Sequence, residues 1–88
     1  MLHELKIEPY FYASVIAGEK RFEIRKDDRS PRFAVGDRLR LREHAPENYF
    51  AHDPSPHYTG HECTVRVTFR TDFEQKTGYV VLGITDPI

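Results

Sequence analysis

The chain has 88 residues, enough for one domain with a single small core that buries roughly 60–65% of the unfolded surface. A formal net charge of −1 and an isoelectric point near 6.5 argue against non-specific nucleic-acid binding by bulk attraction. The single cysteine, Cys63, excludes an internal disulfide framework, so we expect no disulfide-linked partner and a reducing, cytoplasmic environment.

The chain begins with a predicted strand and a short predicted helix. Residues 3–8 alternate charged and apolar side chains, which places Leu5 and Ile7 on one face of a strand. Pro9 can open the helix at its first turn, where the missing N–H costs nothing. Gly18 then ends the helix, because a helix C-terminus commonly needs a left-handed residue.

A second strand is predicted over residues 20–26, where charged and apolar residues are mixed. A period of two places Phe22 and Ile24 on one face. The other face carries charged residues: Arg21, Glu23 and Arg25. A solvated loop would not need the two apolar residues, and a purely structural strand would not need these charges so close together. The segment is therefore a candidate for function.

A third strand is predicted over residues 38–44, after a tight turn at Gly36-Asp37. Its alternation is strict, so Leu39 and Leu41 point inward. Three arginines point outward on the opposite face: Arg38, Arg40 and Arg42. Between residues 20 and 42 the basic residues exceed the acids by five, and most of them are Arg, whose planar fork suits phosphates, carboxylates and base edges. A solvated, self-paired pair of strands is the alternative interpretation of this surplus.

The second half of the chain predicts a long loop and two more strands. Residues 45–60 contain three prolines and form the loop, and loops of this length are usually functional or mobile. Residues 61–70 form the longest strand, with four residues on its apolar face: Cys63, Val65, Val67 and Phe69. Residues 79–84 carry little charge on either face, which predicts a central strand. The fold class is thus α+β, a small closed or nearly closed mixed β-barrel with one helix, forming a single domain over 1–88.

The histidines do not predict a metal site. Four of them fall in or beside the long loop: His44, His52, His57 and His61. The spacing of His57 and His61 suits a zinc ion only on a helix, and Gly60 and the prolines disfavour a helix there. We therefore expect surface histidines, no metal and no cofactor. His3 precedes the first strand and is a candidate to reach a ligand site.

Several motifs, taken in order, resemble the ASCH superfamily, whose members have a PUA-like β-barrel. The motifs are the helix-closing glycine followed by Lys20, Glu23 and Arg25 in "GEKRFEIRK", then "VGDRLRLRE", then the closing "GYVVLGI". With "HELKIEPYF" added, the chain is similar to a bacterial and phage subfamily of ASCH-like domains of unassigned function. The resemblance covers nearly the whole chain except residues 45–60.

This resemblance implies that Lys20, Glu23 and Arg25 line a cleft between the helix and the barrel. It also implies an association with RNA, often with modified nucleotides. One related group, the acetylated-cytidine amidohydrolases, is thought to use a Lys, a Thr nucleophile and a Glu. Lys20 matches that lysine, but the threonine position is Glu23 here, a departure that removes the nucleophile.

We therefore predict a domain that binds RNA or a nucleotide-like ligand in a charged cleft. Lys20, Glu23 and Arg25 form the cleft, with His3 as a further candidate. A phosphate-facing rim is predicted from five basic residues: Lys26, Arg29, Arg38, Arg40 and Arg42. Two alternatives stay open: a small hydrolase acting on a modified nucleoside or RNA through Lys20 and Glu23, and a protein-interaction module of phage or host origin. No apolar run is long enough to span a membrane, so no membrane partner is expected.

Overall fold

The computed structural model describes residues 1–45 and 57–88. Within these ranges it contains the predicted elements in the predicted order: β1 (Leu2–Ile7), α1 (Pro9–Ile16), β2 (Phe22–Lys26), β3 (Arg38–His44), β4 (Tyr58–Thr71) and β5 (Tyr79–Ile84). Most of the predicted 45–60 loop, including His52, lies outside the described residues. Its last three residues belong to β4, so the prediction of a loop up to residue 60 is wrong at that end.

The strands form one mixed sheet in the order β1-β3-β4-β5-β2. β1 pairs with β3 in parallel, and the other three pairs are antiparallel. The predicted central position of β5, between β4 and β2, is confirmed. In the described part of the chain β1 and β2 do not pair with each other, so the sheet stays open and a closed barrel is not formed.

The core is made by the inward faces of the strands, one residue of the helix and one residue of the loop between β2 and β3. Leu39 and Leu41 of β3 are fully buried, which confirms the predicted alternation of that strand. They pack in one cluster with other buried apolar residues: Leu5, Ile7, Val15, Phe33, Val65, Val67, Val80, Leu82 and Ile84. The helix begins at Pro9 and is followed by Gly18 in the left-handed region, as predicted.

One predicted core residue of β4 is wrong, and a β-bulge explains it. Val67 pairs with Ile84, but Phe69 pairs with Gly83, so two steps along β4 oppose one step along β5. The extra residue turns the side chain of Phe69 outward, where it is exposed. A Cβ on Gly83 would meet the side chain of Thr68 at 3.0 Å, which explains why a glycine stands opposite the bulge.

The same bulge brings Arg70 into register with Leu82, an inward-facing residue of β5. The side chain of Arg70 is thereby directed to the inner side of the sheet, where it pairs with Asp27. No helix among the described residues is long and apolar enough to cross a lipid bilayer.

Candidate functional site

A cavity of about 460 Å³ opens between the end of β1, the helix α1 and β2. Its lining consists of nine residues: Lys6, Ile7, Glu8, Phe11, Lys20, Phe22, Glu23, Ile24 and Arg25. The volume lies within the range typical of sites for small ligands. β1 and β2 are the two edge strands of the described sheet. The cavity lies between them, where strand pairing would close a barrel.

The alternation of β2 places its charged face inward and its apolar face outward. Glu23 is only 3% exposed, whereas Phe22 and Ile24 are 45% and 53% exposed. Glu23 pairs in register with Leu82, a fully buried residue of β5, which explains its inward direction. The predicted two faces of this strand are confirmed, and the buried one is the charged one.

Glu23 is held by Lys20 and Arg25, so the structure brings these three predicted residues together. Arg25 donates from Nε and Nη2 to Oε1 of Glu23, at 2.9 and 2.7 Å. The Nζ of Lys20 contacts Oε2 of Glu23 and donates to the carbonyl of Phe22 at 2.6 Å. These charge-assisted contacts fix the carboxylate on the floor of the cavity.

The end of the helix positions Lys20. Gly18 turns the chain in a left-handed conformation, and the N–H of Lys20 donates to the carbonyl of Ser14 at 3.1 Å. Arg25 is positioned from the other side, because its Nη2 also donates to the carbonyl of Lys6 on β1 at 2.8 Å. The side chain of Arg25 thus bridges the gap between β1 and β2. With two cations and one carboxylate, the three-residue cluster carries a net positive charge.

Two exposed aromatic rings, those of Phe11 and Phe22, stand beside the cluster, and neither was predicted from the sequence as a site residue. The Nζ of Lys20 lies 5.4 Å from the ring centroid of Phe11 and 4.9 Å from that of Phe22. Ring faces at these distances attract the ammonium group. Phe11 could have been identified only by knowing that α1 and β2 line the same cavity.

Two titratable side chains outside the lining of the cavity have raised pKa values. Burial raises the pKa of the Cys63 thiol, and the negative charge of Glu23 adds to the effect. Burial also raises the pKa of Tyr12, and the charges of Cys63, Glu43 and Glu62 act in the same direction. A thiol of raised pKa is protonated at neutral pH, so Cys63 is a poor nucleophile.

His3, the fourth predicted ligand residue, does not line this cavity. It is buried in a different cluster, where its Nε2 lies 2.8 Å from Oδ2 of Asp37 and its ring packs against Phe33. The Nη1 of Arg29 lies 3.3 Å from Nδ1 of His3. Because a guanidinium only donates, Nδ1 accepts and the proton resides on Nε2, which donates to Asp37.

Asp37 is the centre of that cluster. Its Oδ2 also accepts from the backbone N–H of Ala34 at 3.0 Å, and Oδ1 lies 3.4 Å from the N-terminal ammonium group. Burial by itself raises the pKa of Asp37, but the hydrogen bonds from His3, Ala34 and the N-terminus outweigh it, so the pKa is lowered overall. This cluster ties the start of β1 to the turn before β3.

None of the five predicted rim residues lines the cavity: Lys26, Arg29, Arg38, Arg40 and Arg42. Arg40 pairs with Glu4 at 2.6 Å, and Arg42 pairs with Glu62 at 3.4 Å, on the outer face of the sheet. These acids come from the two strands that flank β3. Part of the predicted surplus of positive charge is thus already neutralised by neighbouring strands.

The other three rim residues lie apart from one another. Lys26 is exposed with Asp28 at 3.9 Å, and Arg38 is exposed opposite Arg66 in the register of β3 and β4. Arg29 lies over the ring of Phe33 at 4.6 Å, inside the Asp37 cluster. The structure therefore does not gather the five residues into one rim.

The part of the chain that the structure describes has no group of three or more His, Cys, Asp or Glu residues placed to hold a metal ion. His44 instead packs edge-on against Tyr58, with ring centroids 5.1 Å apart, and against His57 at 5.8 Å. His52 lies outside the described residues.

Comparison with known proteins identifies a family. No curated protein matches the chain. A family model described as a domain of unknown function, DUF3850, matches residues 2–84, which include every strand, the helix and the whole Glu23 cavity. The chain belongs to the DUF3850 family.

Proposed function

We propose that the Glu23 cavity binds RNA or a nucleotide-like ligand, with Lys20, Glu23 and Arg25 as its binding residues. The observation that carries the proposal is the buried carboxylate of Glu23 on the floor of a cavity of about 460 Å³. Buried charges are costly to keep, and a cavity in front of one is a site for a polar ligand. The resemblance to the ASCH superfamily points in the same direction.

Glu23 suits the edge of a nucleobase. A carboxylate offers about four acceptor positions, and Lys20 and Arg25 use three of them. The fourth can accept from an exocyclic amine or a ring N–H of a base, as carboxylates do from the amine of cytosine. The existing contacts hold the carboxylate in place, so little ordering is needed when a ligand binds.

Lys20 and Arg25 suit the anionic part of the ligand. Lys20 donates two of its three N–H groups within the protein, and Arg25 uses Nε and Nη2. The remaining N–H of Lys20 and the two hydrogens on Nη1 of Arg25 are available to phosphate oxygens. The side chain of Arg25 is 22% exposed, so a ligand can reach it.

Phe11 and Phe22 suit the face of a base. Both rings line the cavity and both are exposed. Stacking of a base on an aromatic side chain contributes about 1–3 kcal/mol. A ligand with a flat ring and a negative group would thus find a partner for each part.

The test is calorimetric titration of the four ribonucleoside 5′-monophosphates into the wild-type protein, Glu23→Gln and Asp37→Asn, with affinity expressed per folded molecule. We expect wild-type binding that discriminates among the four, and loss of that discrimination in Glu23→Gln. Asp37→Asn is the matched control, since Asp37 is a buried acid outside the cavity. Equal discrimination in Glu23→Gln and wild type, or no binding of any monophosphate or short RNA, would reject the proposal.

The hydrolase alternative has a narrower basis. Lys20 contacts Glu23, a pair that could activate a water molecule, but none of the nine residues lining the cavity is Ser, Thr or Cys. Turnover of N-acetylated cytidine or of RNA by wild type, abolished in Lys20→Ala, would favour this alternative over binding alone.

The protein-interaction alternative is favoured by exposed apolar side chains on the outer surface. Phe69 and Phe73 are both more than half exposed and line neither cavity. Salt dependence separates this alternative, because phosphate contacts weaken steeply as salt is added and apolar contacts do not.

A further inference from the structure

A second cavity, of about 330 Å³, lies between the loop after β2 and the turn between β4 and β5. Its lining includes eight residues with hydrogen-bonding side chains: Asp27, Arg32, Arg70, Asp72, Gln75, Lys76, Thr77 and Tyr79. Asp27 directly follows β2, and its backbone N–H donates to the carbonyl of Gly78 at 2.8 Å, which continues the pairing of β2 with β5. The two cavities thus follow one another along a single extended segment.

The second cavity repeats the construction of the first. The side chain of Asp27 is 6% exposed and contacts Nη2 of Arg70, whose side chain is 31% exposed. The other oxygen of Asp27 accepts from the N–H of Phe33 at 3.3 Å. In each cavity a buried carboxylate holds a partly exposed guanidinium, as Glu23 holds Arg25. The two acids are four residues apart on extended chain, so they share one face.

The second cavity contains cationic side chains with unused hydrogen-bond donors. Arg70 uses only Nη2 on Asp27, which leaves the hydrogens of its Nε and Nη1 for a ligand. Arg32 and Lys76 have no carboxylate within ion-pair distance in the described ranges, and Asp72 is the one further acid of the lining. With Asp27 neutralised by Arg70, the unpaired charges of this cavity are positive in sum.

We propose that the second cavity is a phosphate-binding subsite for a neighbouring nucleotide, so that the ligand of this chain is an oligonucleotide rather than a free nucleotide. This inference rests on the proposed function of the Glu23 cavity. Glu23 and Asp27 are separated by about 13 Å, from a rise of about 3.3 Å per residue. The Glu23 cavity already offers Lys20 and Arg25 to one phosphate, so a second phosphate at that distance calls for a ligand that carries several phosphates along its length, as an oligonucleotide does.

The experiment measures fluorescence anisotropy of a labelled RNA pentanucleotide of random sequence, and its displacement by unlabelled ribonucleoside 5′-monophosphates. It compares wild type, the double variant Arg32→Gln/Lys76→Gln and a matched control, Arg38→Gln/Arg66→Gln. The control also removes two positive charges, from exposed residues that line neither cavity. All four substitutions are at exposed positions, so we expect each variant to fold.

We expect Arg32→Gln/Lys76→Gln to bind the pentanucleotide about tenfold more weakly, with the salt slope reduced by about 0.7 for each lost phosphate contact. Displacement by monophosphates reports on the first cavity, and their affinity should not change. The control should retain wild-type affinity for both probes.

Unchanged pentanucleotide affinity in Arg32→Gln/Lys76→Gln, or an equal loss in the control, would overturn the second subsite and leave the proposed function standing. Wild-type protein that binds neither the pentanucleotide nor any monophosphate would overturn both. The two failures are therefore distinguishable in one set of titrations.

Discussion

The Glu23 cavity and the Asp37 cluster each contain a buried acid, but the surroundings of the two acids differ. Both acids are less than 10% exposed, and both accept several hydrogen bonds. Asp37 is enclosed by His3, a backbone N–H and the N-terminus, and lines neither cavity. Glu23 faces a cavity, and its two cationic partners keep unused donors. Burial alone therefore does not separate the two acids; the proposal that Glu23 binds a ligand rests on the cavity in front of it.

Replacing Asp37 should produce the largest effect on stability. Asp37→Ala leaves buried His3 and the N–H of Ala34 without their acceptor, so we expect a loss of about 3 kcal/mol in the free energy of unfolding. Nucleotide affinity per folded molecule should stay at the wild-type value. Urea denaturation measures the first quantity and calorimetric titration the second. A changed nucleotide affinity in Asp37→Ala would mean that Asp37 and Glu23 belong to one functional site.

Replacing Glu23 should reduce stability less than replacing Asp37 does, and should reduce ligand binding more. In Glu23→Gln the partners Lys20 and Arg25 are partly exposed and can be hydrated, so we expect a loss of about 2 kcal/mol. The control is Glu19→Gln, which removes the same charge from an exposed residue beside the cavity, and should be within about 0.5 kcal/mol of wild type. A Glu23→Gln protein of wild-type stability would mean that the ion pairs contribute nothing to folding.

The pH dependence of stability should separate the centres further. The pKa of Asp37 is lowered below its ordinary value of 3.8, so its contribution to stability is fully present above pH 3.8 and is lost as the pH falls through the lower folded-state pKa. The stability difference between wild type and Asp37→Asn should thus be largest near neutral pH and shrink below pH 3.8. Thermal melting of both proteins across this range measures it. A stability difference between the two proteins that grows as the pH falls below 3.8 would contradict this prediction.

The smallest expected effect concerns Cys63. Burial and then the charge of Glu23 raise the pKa of its thiol, so Glu23→Gln should lower that pKa slightly and increase alkylation a few-fold at mildly alkaline pH. Rates of iodoacetamide labelling as a function of pH measure the shift. Asp37→Asn serves as the control for labelling through unfolding, and an equal acceleration there would attribute the effect to lost stability.

The local signals of the sequence predicted the elements and one part of the site. The alternation of β2 placed Glu23 and Arg25 on one face, and the glycine after the helix placed Lys20 at the entrance of the strand. The grouping of all three in one cleft was implied by the family resemblance. Each of these signals acts within a few residues, which is the range that a single sequence reports well. The ligand of this cluster stays a prediction.

Contacts between distant residues could not be predicted in the same way. The pairing of Arg40 with Glu4 and of Arg70 with Asp27 depends on strand order and on the β4 bulge, which no local pattern encodes. For the same reason His3 was expected near the ligand site, whereas it pairs with a residue 34 positions away. Strand registry decides such contacts.

The hydrogen bond from Arg25 to the carbonyl of Lys6 also bears on how the protein avoids aggregation. Unpaired outer strands offer free N–H and C=O groups to the strands of other molecules. Here the two outer strands face each other across the cavity, and lysine and arginine side chains stand between them. The charges proposed to bind a ligand thus also oppose edge-to-edge association at the open side of the sheet. A variant that removes these charges should both weaken ligand binding and associate more readily.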